Sequence, residues 1–359
     1  MVAATGVAVR SRFVGIAGAL AWGVGRVVRD RFERPVPEPA SVMGDAPPFP
    51  ADRPLVVACW NIQYCGGRSA AFFYDGGPRV HVDEAERDAT LAAVVAELRA
   101  IDADVVLLQE VDVRSDRTGR LDQRRAIADA LAVPTYAYAP YFDVPYVPAP
   151  FREPLGRVRC DLLVLSKWKL AWATRHPLPM LAEHPLRRAY NLRRAVLEVN
   201  LACAGGRRLS LMNVHLSAFS FGDGTLARQM DVIDRLCAER EREGVPWLLA
   251  GDFNSLPPWD PPARLDPAHA PEYRDATPPL ERMFERWNSP LPRDAELARF
   301  GTYVPIGSNG PDRIIDHVFH GAGLRVADHQ VHQGLGHVSD HLPLVERILL
   351  DFQQGPSLQ

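Results

Sequence analysis

Short apolar runs, each ended by a polar residue, organise this chain. Leu55–Trp60 (LVVACW), Asp104–Leu108 (DVVLL), Asp161–Ser166 (DLLVLS) and Trp247–Ala250 (WLLA) read as strands covered on both faces. Arg194–Leu201 and Arg207–Leu216 read as a strand pair around Ala204-Gly205-Gly206. On the second strand Leu209, Leu211, Asn213 and His215 share one face, and Ser210, Met212, Val214 and Leu216 the other. Arg313–His320 and Leu342–Leu350 add further strands. Helical spacing appears in Leu91, Val94, Val95, Leu98 and Ile101, behind the capping box Asp83-x-x-Glu86. It recurs in Leu226, Met230, Ile233 and Cys237, and Leu121–Leu131 reads as a short helix. Val133–Leu155, rich in proline and tyrosine, reads as irregular surface. Leu256–Pro292 carries ten prolines and reads as a long loop, a kind of segment that is usually functional or disordered.

The N-terminus has a different character. Phe13–Gly25 is apolar or small throughout, with Arg10 and Arg12 before it and Arg26, Arg29, Arg31 and Arg34 after it. It is too short to span a bilayer, which takes about 20 residues. Two readings stand: a tail, or a peripheral anchor over residues 13–34 on an anionic membrane. Arg34–Pro54, with seven prolines, reads as a linker, so the domain is expected over residues 54–352 and a short tail over 353–359. At 359 residues, 47% hydrophobic and 24% charged, the chain has the composition of a globular protein with a sizeable core. Its net charge of −3 weighs against reliance on sequence-independent nucleic-acid binding. Five cysteines without a CxxC fit reduced thiols, a cytosolic compartment and no zinc site. The chain is expected to act as a monomer.

The polar residues at the strand ends supply the candidate chemistry. Asn61 follows the first run, and Gln109 and Glu110 are expected at the end of the second. His215 closes the strand pair. After the glycine break at Gly251, Asp252 and Asn254 lie two apart, so on extended backbone both face the same way. Asp316 lies in RIIDHVFH, and Asp340 and His341 precede the final strand. Each alone reads equally well as a turn or sheet-edge residue. Arg187, Arg188, Arg193 and Arg194 around Tyr190 fit either a phosphate grip or a solvated hairpin end.

In order, WNIQ, LLQEVD, NVHLS, LAGDFNS, RIIDHVF and SDHLPL resemble the motifs of the endonuclease/exonuclease/phosphatase superfamily over roughly Leu55–Leu350. The resemblance implies an α+β fold, a four-layer αββα sandwich of two mixed sheets flanked by helices. It implies a metal-dependent phosphoester hydrolase, with Asn61, Glu110 and Asp340 as ligands for Mg²⁺ or, in its place, Mn²⁺. It makes Asp252 the water-orienting residue, Asn254 a phosphate contact, Asp316–His341 a paired carboxylate and imidazole, and His215 a second phosphate-side histidine. Arg193 and Arg194 are the expected substrate-binding residues. His317, His320 and His337 are left as surface or structural residues. The expected partner is a phosphate ester, small or lipid-borne, with nucleic acid second. A non-catalytic binding descendant should have lost Glu110, Asp252 or His341, and all three are present.

Overall fold

The buried runs pair into two sheets. The computed structural model describes residues 18, 20–27, 36–218, 220, 222–273 and 278–351. The predicted anchor over 13–34 and the tail over 353–359 therefore lie largely or wholly outside the described residues. Of the former, residues 20–27 are helical. No described helix is long and apolar enough to cross a membrane.

In chain order the strands are β1 (Glu38–Pro39), β2 (Ser41–Gly44), β3 (Leu55–Asn61), β4 (Val105–Asp112), β5 (Thr135–Val147), β6 (Gly156–Ser166) and β7 (Leu170–Pro177). There follow β8 (Ala195–Ala202), β9 (Arg208–His215), β10 (Trp247–Asp252), β11 (Asp316–His320), β12 (Leu324–Val331) and β13 (Leu344–Leu350). One sheet has the order β1-β7-β8-β9-β10-β11 and the other β12-β13-β3-β4-β6-β5-β2. Both are mixed, because β3–β4 and β9–β10 are parallel while their other neighbours are antiparallel.

Leu107, Leu162 and Val164 of one sheet meet Leu197, Leu211 and Leu248 of the other in the central core. The outer face of the first sheet presents Trp60, Val106 and Leu108 to helix residues Val94, Leu98 and Ile127. The outer face of the second presents Met212, Val214 and Leu249 to Leu226, Met230 and Ile233. This is the expected four-layer α+β sandwich. The two faces predicted for 209–216 separate as read: Leu209 and Leu211 enter the inter-sheet core, and Met212, Val214 and Leu216 the helix-covered one. At about 1.5–3 kcal/mol for each buried large aliphatic side chain, these layers hold the strand ends in place.

Three readings change. The proline-rich stretch before Pro54 is not a free linker: β1 pairs with β7, β2 pairs with β5, and Phe49 is fully buried in the central core. The stretch thereby ties one edge of each sheet together. Val133–Leu155 contains β5, a 13-residue strand paired along β6. Its alternation of buried Thr135, Ala137, Ala139 and Tyr141 was masked by prolines. Pro140 is tolerated because β2 covers only Thr135–Tyr138, leaving β5 an edge beyond that point. The capping box is half formed. The Asp83 carboxylate accepts from the N–H groups of Ala85 and Glu86, but the Glu86 carboxylate turns to Ser69 and Arg79 instead of reaching back.

Candidate active site

Register alone sets three predicted residues side by side. Asp252 on β10 is paired with His215 on parallel β9 and with Asp316 on antiparallel β11. Gly251 permits this, since a Cβ there would collide with the Val214 carbonyl of β9. On the facing sheet Asn61 of β3 lies abreast of Gln109 of β4. Gln109 Nε2 donates across the core to Asn213 Oδ1 at 2.6 Å, and Asn213 Nδ2 donates to the carbonyls of Leu108 (2.9 Å) and Leu163 (3.1 Å). The two sheets are thus pinned together by amides directly beneath Glu110 and His215.

Glu110 does not end its strand. β4 continues to Asp112, and its pairing with β6 shifts register between Leu108 and Val111. Glu110 sits in that irregularity with φ of 58°, a left-handed conformation that costs a non-glycine residue and is common where a bulge re-aims a functional side chain.

Asp252 is the hub. Its Oδ2 lies 3.1 Å from Asn61 Nδ2, 3.2 Å from His215 Nε2 and 3.5 Å from His341 Nε2. Its Oδ1 accepts the Asn254 N–H at 2.9 Å. Asn254 holds φ of 47°, and its Nδ2 donates to the Leu216 carbonyl at 3.1 Å. Behind His341, Nδ1 donates to Asp316 Oδ2 at 2.8 Å, with both groups buried. The Thr302 hydroxyl accepts the Ile315 and Asp316 N–H groups, and Trp60 Nε1 donates to the His341 carbonyl, so the pair is fixed from two sides. Asn61 Nδ2 also reaches Glu110 Oε1 at 3.4 Å. Asp340 takes a hydrogen bond from Ser339 and lies 3.9 Å from Arg68.

Burial and neighbouring charge drive the ionisable groups apart. Burial, then the Asp340 charge, pushes Glu110 up to about 7. Burial pushes Asp252 up to about 6, against the pull of His341. Burial alone would lower His341, but Asp316 and then Asp252 hold it up at about 10, so it is a cation at neutral pH. Burial, Arg194 and His341 hold His215 well below its ordinary value, so it is neutral. His215 Nε2 faces the Asp252 carboxylate at 3.2 Å, and its buried Nδ1 has no hydrogen-bond partner.

Eight of the predicted residues (Asn61, Glu110, His215, Asp252, Asn254, Asp316, Asp340, His341) therefore gather in one place. The arginines divide. Arg194 is buried, its Nε and Nη1 have no partner, and its guanidinium lies 5.2 Å from the Tyr141 ring, which itself lies 5.4 Å from His215. Arg193 instead donates its N–H to the Tyr141 carbonyl, and Arg187 and Arg188 sit on a one-turn helix, Pro185–Ala189. Tyr141, Arg68, Thr302 and the Tyr64–Tyr74 pair were not singled out by sequence. Tyr141 would have emerged from the alternation of β5. His317 and His320 are buried, so neither is a surface residue, and His317 Nε2 bonds the Ser255 carbonyl at 2.9 Å. His337 bonds the Gly334 carbonyl on the exterior.

Ligand-type atoms of Asp252, Asp316 and His341 lie within 4.8 Å of one another. Within that trio His341 Nδ1 is engaged by Asp316 Oδ2, and His341 Nε2 faces Asp252 Oδ2 at 3.5 Å. Glu110 and Asp340 offer carboxylate oxygens and Asn61 its amide oxygen, which here also accepts the Gln63 N–H at 3.0 Å; oxygen ligands are the kind that suits Mg²⁺ or Mn²⁺. The crowding of Asp340 on Glu110 is of the kind a dication relieves.

The profile of the Endonuclease/Exonuclease/phosphatase family matches residues 58–341, from β3 to His341. The chain belongs to the endonuclease/exonuclease/phosphatase family. Members of this family are hydrolases of phosphoester bonds, and so is this enzyme. A search of curated proteins finds no match. Among solved structures, an endonuclease/exonuclease/phosphatase from Beutenbergia cavernae is 22% identical, with TM-score 0.57, over 83% of this chain and 72% of that one. The human Nocturnin catalytic domain with bound sulfate is 18% identical, with TM-score 0.53, over 86% of this chain and 97% of that one. At these identities the likeness shows the shared fold.

Proposed function

We propose that this family member hydrolyses a phosphodiester by in-line attack of water, with Mg²⁺ held by Asn61, Glu110 and Asp340 and Mn²⁺ a working substitute. The substrate proposed is a small-molecule or lipid-borne phosphate ester. The observation that carries this reading is the convergence on Asp252: a buried carboxylate pushed up to about 6, beside a cationic His341 and the buried Arg194, whose Nε and Nη1 have no hydrogen-bond partner. Bound beside Glu110, a dication would neutralise phosphate charge and polarise the phosphorus–oxygen bond.

The chain's own groups divide the remaining work. Asp252, ionised above about pH 6, orients the attacking water and takes its proton as the new oxygen–phosphorus bond forms, while the phosphorus–ester bond opposite breaks and its oxygen leaves with the bonding electrons, taking a proton from solvent. His341 donates to the negative charge that builds on phosphate oxygen, and Asp316 fixes its tautomer and its charge. Asn254 has a second Nδ2 hydrogen for a phosphate oxygen, since only one is used on Leu216. Arg194 supplies a planar donor pair for the anion. His215, with Nε2 3.2 Å from Asp252 Oδ2, stands as a second histidine beside the phosphate.

Two supports bear on the substrate. The net charge of −3 does not favour a polyanion. The helix over residues 20–27 leaves Leu20 and Val24 exposed, four residues apart on one face, while Trp22 packs on Tyr190. That face suits peripheral contact with an anionic membrane. Nucleic acid is the second reading, favoured by the exposed Arg187 beside Arg188. The test is a panel run with Mg²⁺ and with EDTA: bis-p-nitrophenyl phosphate, inositol phosphates, sphingomyelin, supercoiled plasmid and abasic duplex. Mg²⁺-dependent turnover of the first three classes supports the proposal. Plasmid nicking in preference to them would replace it with the nuclease reading.

A further inference from the structure

The described residues of the proline-rich segment after Ser255 border a space directly beside Asn254. A cavity of about 100 Å³ lies there, walled by Leu226, Leu256, Pro258, Tyr273 and Pro279 and bounded by Asn254 and Ser255. Three properties set it apart from a packing gap. Its walls are largely prolines, whose fixed φ makes a preformed surface with little entropy to lose on binding. The nearest formal charge, Asp260, is neutralised by Arg264, with Nε–Oδ1 at 2.7 Å, so the walls are electrically quiet. Ser255 is only 2% exposed, borders this space, and its Oγ has no partner. Tyr273 is anchored from the catalytic side: its hydroxyl accepts from Arg313 Nη1 at 3.3 Å, three residues before Asp316. The cavity thus shares a wall with the phosphate contact assigned to Asn254.

We propose that this cavity is a specificity subsite for an apolar substituent carried on the phosphate, a branched alkyl group or small ring of three or four carbons. A dry cavity of roughly 150 Å³ accommodates benzene, so one of about 100 Å³ takes a somewhat smaller group. The single unpaired Ser255 hydroxyl admits one ether or hydroxyl oxygen on that group. The inference rests on the phosphoesterase reading of the adjoining site.

The test uses the full chain with Mg²⁺ and a series of p-nitrophenyl phosphodiesters whose second ester group is methyl, isopropyl, isobutyl or dodecyl. Burial of each further carbon is expected to raise kcat/KM about fourfold up to the isobutyl ester, with no further gain per carbon for dodecyl. Ser255→Thr, which adds a methyl group to the cavity, is expected to erase most of the isopropyl and isobutyl advantage. Pro258→Ala, which widens the cavity, shifts the optimum to larger groups and covers the case in which the first variant folds poorly. Hydrolysis of all four esters at equal kcat/KM overturns the subsite and leaves the phosphoesterase reading standing. Absence of hydrolysis for every ester overturns both.

Discussion

Replacing Glu110 by glutamine should make the metal-free protein more stable while removing its activity. The Glu110 carboxyl lies at about 7 in the fold against an ordinary 4.5, because burial and the Asp340 charge both oppose ionisation. A raised carboxyl binds its proton more tightly folded than unfolded, so stability falls as pH rises from about 4.5 to about 7, and the loss is complete above that. The difference corresponds to about 3 kcal/mol, an upper figure for a side chain that is partly solvent-exposed. Glutamine is neutral at every pH and nearly isosteric, its Oε1 can still accept from Asn61 Nδ2, and the left-handed backbone is common to both. In EDTA at pH 8, Glu110→Gln should therefore melt higher, by roughly 5–10 °C at the upper figure. The difference should vanish near pH 4, where the wild-type carboxyl is protonated in both states. Added Mg²⁺ should then raise the wild-type melting temperature and leave the variant's unchanged. The assay is differential scanning fluorimetry across pH, with and without metal. A variant that melts lower than wild type in EDTA at pH 8, or that gains as much from Mg²⁺, would refute the picture of two crowded carboxylates awaiting a cation.

Other parts of the frame can be checked in the same way. Glu198, buried on β8, is held at about 2, since bonds from His176, Arg240 and Ser210 outweigh the effect of burial. Its contribution is present above pH 4.5 and lost as pH falls through about 2. Glu198→Gln should therefore cost about 3 kcal/mol in urea unfolding at pH 7 and progressively less in acid. Asn213→Ala strands the Leu108 and Leu163 carbonyls and Gln109, and should cost about 3 kcal/mol together with a fall in kcat, because the Glu110 bulge loses its floor. Phe49→Ala should cost about 3–5 kcal/mol by chemical unfolding. An effect below 1 kcal/mol would mean that the proline-rich stretch before Pro54 is a free linker after all.

Much of the site was legible because its residues follow apolar runs that can only be buried strands, and β9, β10 and β11 then bring His215, Asp252 and Asp316 abreast by register alone. What sequence could not show depends on neighbours distant in the chain. Glu110 reads as a strand end because a bulge leaves no signature in a run such as VVLLQEVD. β5 was hidden by prolines that are acceptable only because its partner β2 is short. β1 and β2 are too short for any periodicity. Arg193 and Arg194 are indistinguishable in sequence, yet Arg194 is buried beside Tyr141 while Arg193 is only half-buried. The charge states of His215 and His341 follow from burial and from Asp316, and spacing carries no trace of either.

The central claim is that Asp252 receives the proton of the attacking water, and Asp252→Asn tests it most directly. The measurement is kcat for bis-p-nitrophenyl phosphate with saturating Mg²⁺, on variant protein whose circular dichroism matches wild type. Amide for carboxylate keeps the shape and removes the base, so kcat should fall by about 10³-fold. A folded Asp252→Asn protein that turns over within a few-fold of the wild-type rate would contradict the account.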